Sequence, residues 1–192
     1  MGFCAVHKKQ TAPLIGAAFG LAFVLANAGA LPSTAAVILR VLAILAFLRL
    51  FLALRHRPAG TPAGAAAAED APTAPLFGRG YRLVVAAEVV AGLSGLVVLN
   101  PVLHTPKATV GWIALVVGVH FLGLAAVWRR PSLNALAAAM SGCGAAGLAL
   151  AVADAPAAVI AAVAGIVPGC LLLGSVALSL RAPAVGAAPQ RA

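Results

Sequence analysis

Acidic residues are almost missing from this chain, which has four Asp and Glu among 192 residues, against thirteen Lys and Arg. Charged residues of both signs make up 9% of the sequence, where a soluble domain carries about 25%. Such a chain cannot cover its surface with polar groups in water, so lipid must be the solvent for most of its length. Aromatic residues are also scarce, at 5%. The net charge of +9 therefore has none of the interleaved aromatic and basic surface that a nucleic-acid partner requires. It reads instead as charge that orients spans in a membrane.

The three cysteines, Cys4, Cys143 and Cys170, are odd in number and show no paired spacing. This excludes a disulfide framework read from sequence, and with no C-x-x-C or His/Cys cluster it leaves no zinc site. No P-loop, H-E-x-x-H or dinucleotide fingerprint occurs. A membrane b-type haem needs histidines on facing helices, and only His120 lies inside an apolar run. No metal, cofactor or catalytic residue is expected, and enzymatic activity is the less favoured class.

Hydrophobic length is what the sequence does have, with 63% hydrophobic residues and a mean hydropathy of +1.08. A helix needs about 20 residues to cross a bilayer core of about 30 Å. Six runs meet that length, over residues 11–30, 34–54, 82–100, 109–128, 132–152 and 156–180. With no water to satisfy the backbone in lipid, each must be a helix. The expected fold is all-α, a polytopic bundle of six transmembrane helices in one integral membrane domain. The third run is expected to stop at Asn100-Pro101, since the residue before proline is driven out of helical geometry.

The links between runs fix an expected orientation. With six spans, Lys8, Lys9, Arg55, Arg57, Arg79, Arg82, Arg129, Arg130, Arg181 and Arg191 fall on one side, and Lys107 alone in a loop on the other. The positive-inside rule then places both termini in the cytoplasm, and the chain in the cell's inner (cytoplasmic) membrane. Trp112 and Trp128 bracket the fourth run as an interfacial belt would. Residues 56–80 and 182–192, rich in Ala, Pro and Gly, read as a flexible cytoplasmic loop and a disordered tail. The short remaining links suggest antiparallel hairpins of the first and second, third and fourth, and fifth and sixth runs. At the N-terminus, the basic residues, the apolar stretch and ANAGA also resemble a secretory signal, whose cleavage would leave five spans.

The run RLVVAAEVVAGLSGLVVLN contains Glu88, and an ionisable group at mid-membrane costs about 2.5–3.5 kcal/mol on insertion scales. Glu88, Gly92 and Gly95 recur at i, i+4 and i+7, so Glu88 is expected to face another helix. Counted from the cytoplasmic ends, Glu88 and Arg49 each lie six residues deep, about 9 Å, and His120 lies nine residues deep, about 13 Å. Three ionisable groups from three helices at similar depth suggest one polar cluster, Arg49–Glu88–His120. It serves either to lock helices together or, through Glu88 and His120, to relay protons or ions in a small transporter or channel. Arg40, on the opposite helical face from Arg49, is expected to snorkel to the outer surface. The expected partners are the lipid bilayer, further copies of the chain, and an ion or small molecule of unspecified kind.

Two resemblances bear on function. Gly92-Leu93-Ser94-Gly95 matches the G-x-S-G pattern of rhomboid intramembrane proteases, and His120-Phe121-Leu122-Gly123 resembles their histidine helix. That resemblance implies a Ser94–His120 dyad in which imidazole accepts the serine proton. The sequence departs from the family in placing serine and histidine on consecutive spans and in lacking the upstream His and Asn motif. The whole pattern, with LANAGALP after the first span, the glutamate in the third and GVHFLGLA in the fourth, resembles small six-span membrane proteins of GC-rich, actinobacterial-type bacteria. This second resemblance implies the fold and brings no activity with it.

Overall fold

Helix is what a backbone without water must form, and the computed structural model describes residues 3–56 and 78–181 as helices joined by short turns. Helix α1 spans Phe3–Asn27 and ends in a 3-10 turn at Ala28–Ala30; α2 spans Ser33–Arg55. Helix α3 spans Arg79–Val97 and continues through a π turn at Val98–Val102. Helices α4 and α5 span Thr109–Trp128 and Ser132–Val152. Helix α6 is composite: Ala157–Ala161, a π turn at Ala162–Ile166, then Val167–Arg181. All six stretches are long and apolar enough to cross a membrane. The chain is a multi-pass helical membrane protein. The expected loop over 56–80 falls largely, and the tail over 182–192 entirely, outside the described residues.

Both π turns occur beside a proline. A proline ring clashes with the carbonyl four residues earlier and offers no N–H, and widening the helix by one residue accommodates it. Pro101 lies within the first π turn, and Pro168 follows the second. The third helix therefore does not stop at Asn100-Pro101 as the sequence suggests. Asn100 donates through Nδ2 to the Leu96 carbonyl at 3.0 Å and to the Thr109 hydroxyl at 3.1 Å, tying the end of α3 to the start of α4. His104, Arg129 and Asp154, each with φ of 52°, follow α3, α4 and α5 in the left-handed conformation.

Small residues set the closest approaches, as expected where lipid supplies no hydrophobic drive between helices. The tightest pairing joins α4 to α5, where a Cβ on Gly111 would stand 2.7 Å from the Leu148 nitrogen and 3.0 Å from the Gly144 oxygen. Helix α1 packs more closely on α6 than on α2, and a Cβ on Gly20 would stand 2.9 Å from the Gly169 oxygen. Phe23, Ala114, Val117, Met140 and Leu172 form a core where α1, α4, α5 and α6 converge. Helix α2 lies across α1 and α6 through Ala43 and Leu50, against Ala17, Val24, Leu173 and Val176. Helix α3 leans mainly on α4, and only 6% of its apolar window is buried, against 50% for α6.

The topology gathers Arg55, Arg79, Arg82, Arg129, Arg130 and Arg181 at one end of the bundle, called here the basic end. At the opposite end, Lys107 pairs with Asp154 at 2.6 Å and so joins the α3–α4 link to the α5–α6 link. That lysine holds the exposed Asp154 carboxyl below the usual carboxylate range, first by its hydrogen bond and then by its charge. The Arg40 guanidinium reaches the 3-10 turn at this same end, 3.1 Å from where a Cβ on Gly29 would sit.

Candidate functional site

The seam between α3 and α4 runs antiparallel, with Gly80 against Val127, Val84 against Gly123, and Gly95 against Trp112. This register sets Glu88 opposite His120. His120 Nδ1 stands 3.0 Å from Glu88 Oε2, with the two side chains 13% and 24% exposed respectively. The separation is that of an ion pair, yet no aligned hydrogen bond joins them. The Phe121 ring meets the imidazole edge-on, with centroids 5.8 Å apart.

Arg49 is not brought to this pair. It lies on the exposed side of α2, and among the described residues it makes no hydrogen bond or ion pair. Counting residues along a helix measures depth but says nothing about which helices are neighbours. Helix α2 packs on α1 and α6, whereas Glu88 is carried on α3 at the far side of α4.

The small-residue face predicted for α3 also divides in two. Gly95 lies under the Trp112 indole, whose Nε1–H donates to the Ala91 carbonyl at 3.2 Å. A Cβ on Gly92 would meet nothing within 4 Å. Trp112 thus packs against α3, in the first turn of α4. Trp128 is buried at the basic end, stacked on Tyr81 with 6.2 Å between centroids and 7° between planes. The Trp112 contact was not anticipated, although a glycine one helical register across from a tryptophan was the signal for it.

Ser94 and His120 are not joined. The serine hydroxyl donates back to the Ala91 carbonyl at 3.1 Å, on the exposed side of α3. It stands six residues along α3 from Glu88, about 9 Å at the helical rise. Among the described residues no group of three or more His, Cys, Asp or Glu could hold a metal ion.

Two clefts open elsewhere on the bundle. One of about 230 Å³, at the end opposite the arginines, is lined by Asn27, Lys107 and apolar residues of α1 and α6. The other, about 420 Å³ at the basic end, is lined by Arg129, Asn134, Pro131 and the last turns of α4. Comparison with protein-family models, curated proteins and solved structures finds no match for the chain.

Proposed function

We propose that this membrane protein sits in the cytoplasmic membrane with its basic end and both termini on the cytoplasmic side, and that Glu88 and His120 clasp α3 to the rest of the bundle. The observation that carries this reading is the 3.0 Å contact between two ionisable side chains on different helices. Helix α3 is little buried and rests mainly on α4, where the Asn100–Thr109 and Trp112–Ala91 hydrogen bonds and the Tyr81–Trp128 stack hold it elsewhere along its length. A direct polar contact between membrane helices contributes about 0.6–2 kcal/mol, a large share of what holds a helix resting mainly on one neighbour. On this reading the protein is not an enzyme, and both clefts lie away from the pair.

A second reading, a proton or ion carrier, is favoured by one feature. A carboxylate and an imidazole touch without an aligned hydrogen bond, and Glu88 keeps some exposure, so a proton exchanged between them is not locked in place. Proton flux into liposomes carrying the purified protein, with thermal melts of the same samples, separates the two. For a clasp, Glu88→Gln lowers the melting temperature, and neither protein carries flux above empty liposomes. For a carrier, Glu88→Gln abolishes flux at an unchanged melting temperature.

A further inference from the structure

The faces turned to lipid on α2 and α3 differ from ordinary lipid-facing surface in their charge. The exposed side of α2 presents Leu42, Leu45, Leu48 and Leu52, and among these apolar side chains stands Arg49. Arg49 lies six residues from Arg55, about 9 Å inside the helix end. The exposed side of α3 presents Leu83, Val89, Val90 and Leu93, and at its edge Glu88 remains 24% exposed. Glu88 lies six residues from Arg82, about 9 Å inside the same end of the bundle. One face thus carries an unpartnered cation and the other a carboxylate, at matching depth.

Shape agrees with charge. One turn beyond Glu88 towards the opposite end is Gly92, where a Cβ would find open space. One turn beyond Arg49 in the same direction is Leu45, 52% exposed. Aligning Arg49 with Glu88 therefore sets Leu45 against Gly92, a large side chain opposite a small residue, as in close-packed membrane helices. α2 and α3 are also among the least buried of the six spans, at 17% and 6% of their apolar windows.

We infer that the exposed face of α2 docks on α3 of a second copy of this chain, and that Arg49 of that copy completes the Glu88–His120 pair. The inference rests on the Glu88–His120 contact proposed above as a clasp. The polar trio expected from the sequence is assembled between copies instead of within one. Because two different faces meet, the contact is heterologous, the kind that forms a ring where the rotation between copies closes and an open row where it does not. An arginine that binds a carboxylate bidentately in this setting also fixes the register between copies.

The test uses full-length protein with Cys4, Cys143 and Cys170 replaced by serine. One copy carries Leu45→Cys, the other Gly92→Cys, and the two bear different tags. After co-expression and mild oxidation in the native membrane, a disulfide between the two tagged copies is expected. Either copy expressed alone should give less than a fifth of that yield. Arg49→Gln should lower the yield at least five-fold when placed in the Leu45→Cys copy, and leave it unchanged in the Gly92→Cys copy. Arg49→Lys, which keeps the charge, should retain most of it. The thermal melt of Arg49→Gln in dilute detergent should match that of the parent, since Arg49 has no partner within the described chain. Absence of the mixed disulfide, equal yield from either copy alone, or indifference to Arg49→Gln each overturns the inference. The clasp is read separately, by the melt of Glu88→Gln, so the failure of one is not mistaken for failure of the other.

Discussion

Substituting alanine for Gly111 and, separately, for Gly142 isolates the contribution of close helix contact to this bundle. Gly142 lies in the middle of α5, where alanine gains about 1 kcal/mol of helix propensity, and Gly111 in the first turn of α4, where the gain is no larger. Their surroundings differ. A Cβ on Gly111 would lie 2.7 Å from the Leu148 nitrogen, 2.9 Å from the Gly147 carbonyl carbon and 3.0 Å from the Gly144 oxygen, all backbone atoms. A Cβ on Gly142 would meet nothing within 4 Å. Backbone cannot swing aside as a side chain can, so α4 and α5 must separate by roughly 0.5–1 Å, an overpacking that costs about 1–3 kcal/mol. The propensity gain, no larger at Gly111 than at Gly142, does not offset the difference. Gly111→Ala is therefore expected to be about 1–3 kcal/mol less stable than Gly142→Ala, measured by unfolding in mixed micelles under an SDS titration. Equal stability of the two variants would refute the idea that this seam is held by backbone proximity.

Other outcomes follow from the same geometry. Gly95→Ala places a methyl group on the Trp112 indole and should break its hydrogen bond to Ala91. In a Trp128→Phe background, the expected result is stronger quenching of Trp112 by brominated lipid and a loss of about 1–3 kcal/mol. The Asp154 carboxyl, held low by Lys107, should titrate below the ordinary range by NMR and return to it in Lys107→Gln. Because its pKa in the folded protein is depressed, its contribution is fully present above about pH 4 and is lost as pH falls through the lowered value. A melting temperature that rises between pH 5 and pH 3 through this group would contradict that sign.

The six spans were legible because each is a long apolar run, and the residue bounds of α4 and α5 coincide with the runs read from sequence. The end of α3 was not legible, because Pro101 stops a regular helix but not one that widens into a π turn. The site was partly legible for a related reason. Depth follows from residue counting, and it set Glu88 level with a residue on the next helix, as the antiparallel seam also does. Lateral neighbourhood does not follow from counting, since every face of α2 and α3 is largely apolar and nothing in the pattern says which side meets protein. Arg49 was therefore grouped with Glu88 by depth, although α2 packs against α1 and α6. The turning of Trp112 onto Gly95 was missed because tryptophans near span ends ordinarily mark the headgroup level.

A double-mutant cycle on Glu88 and His120 tests the clasp most directly, with Glu88→Gln, His120→Gln and the double variant unfolded in the same micelles. A favourable coupling of about 0.5–2 kcal/mol between the two side chains is expected. A coupling indistinguishable from zero would mean that the two groups lie side by side without holding α3 in place.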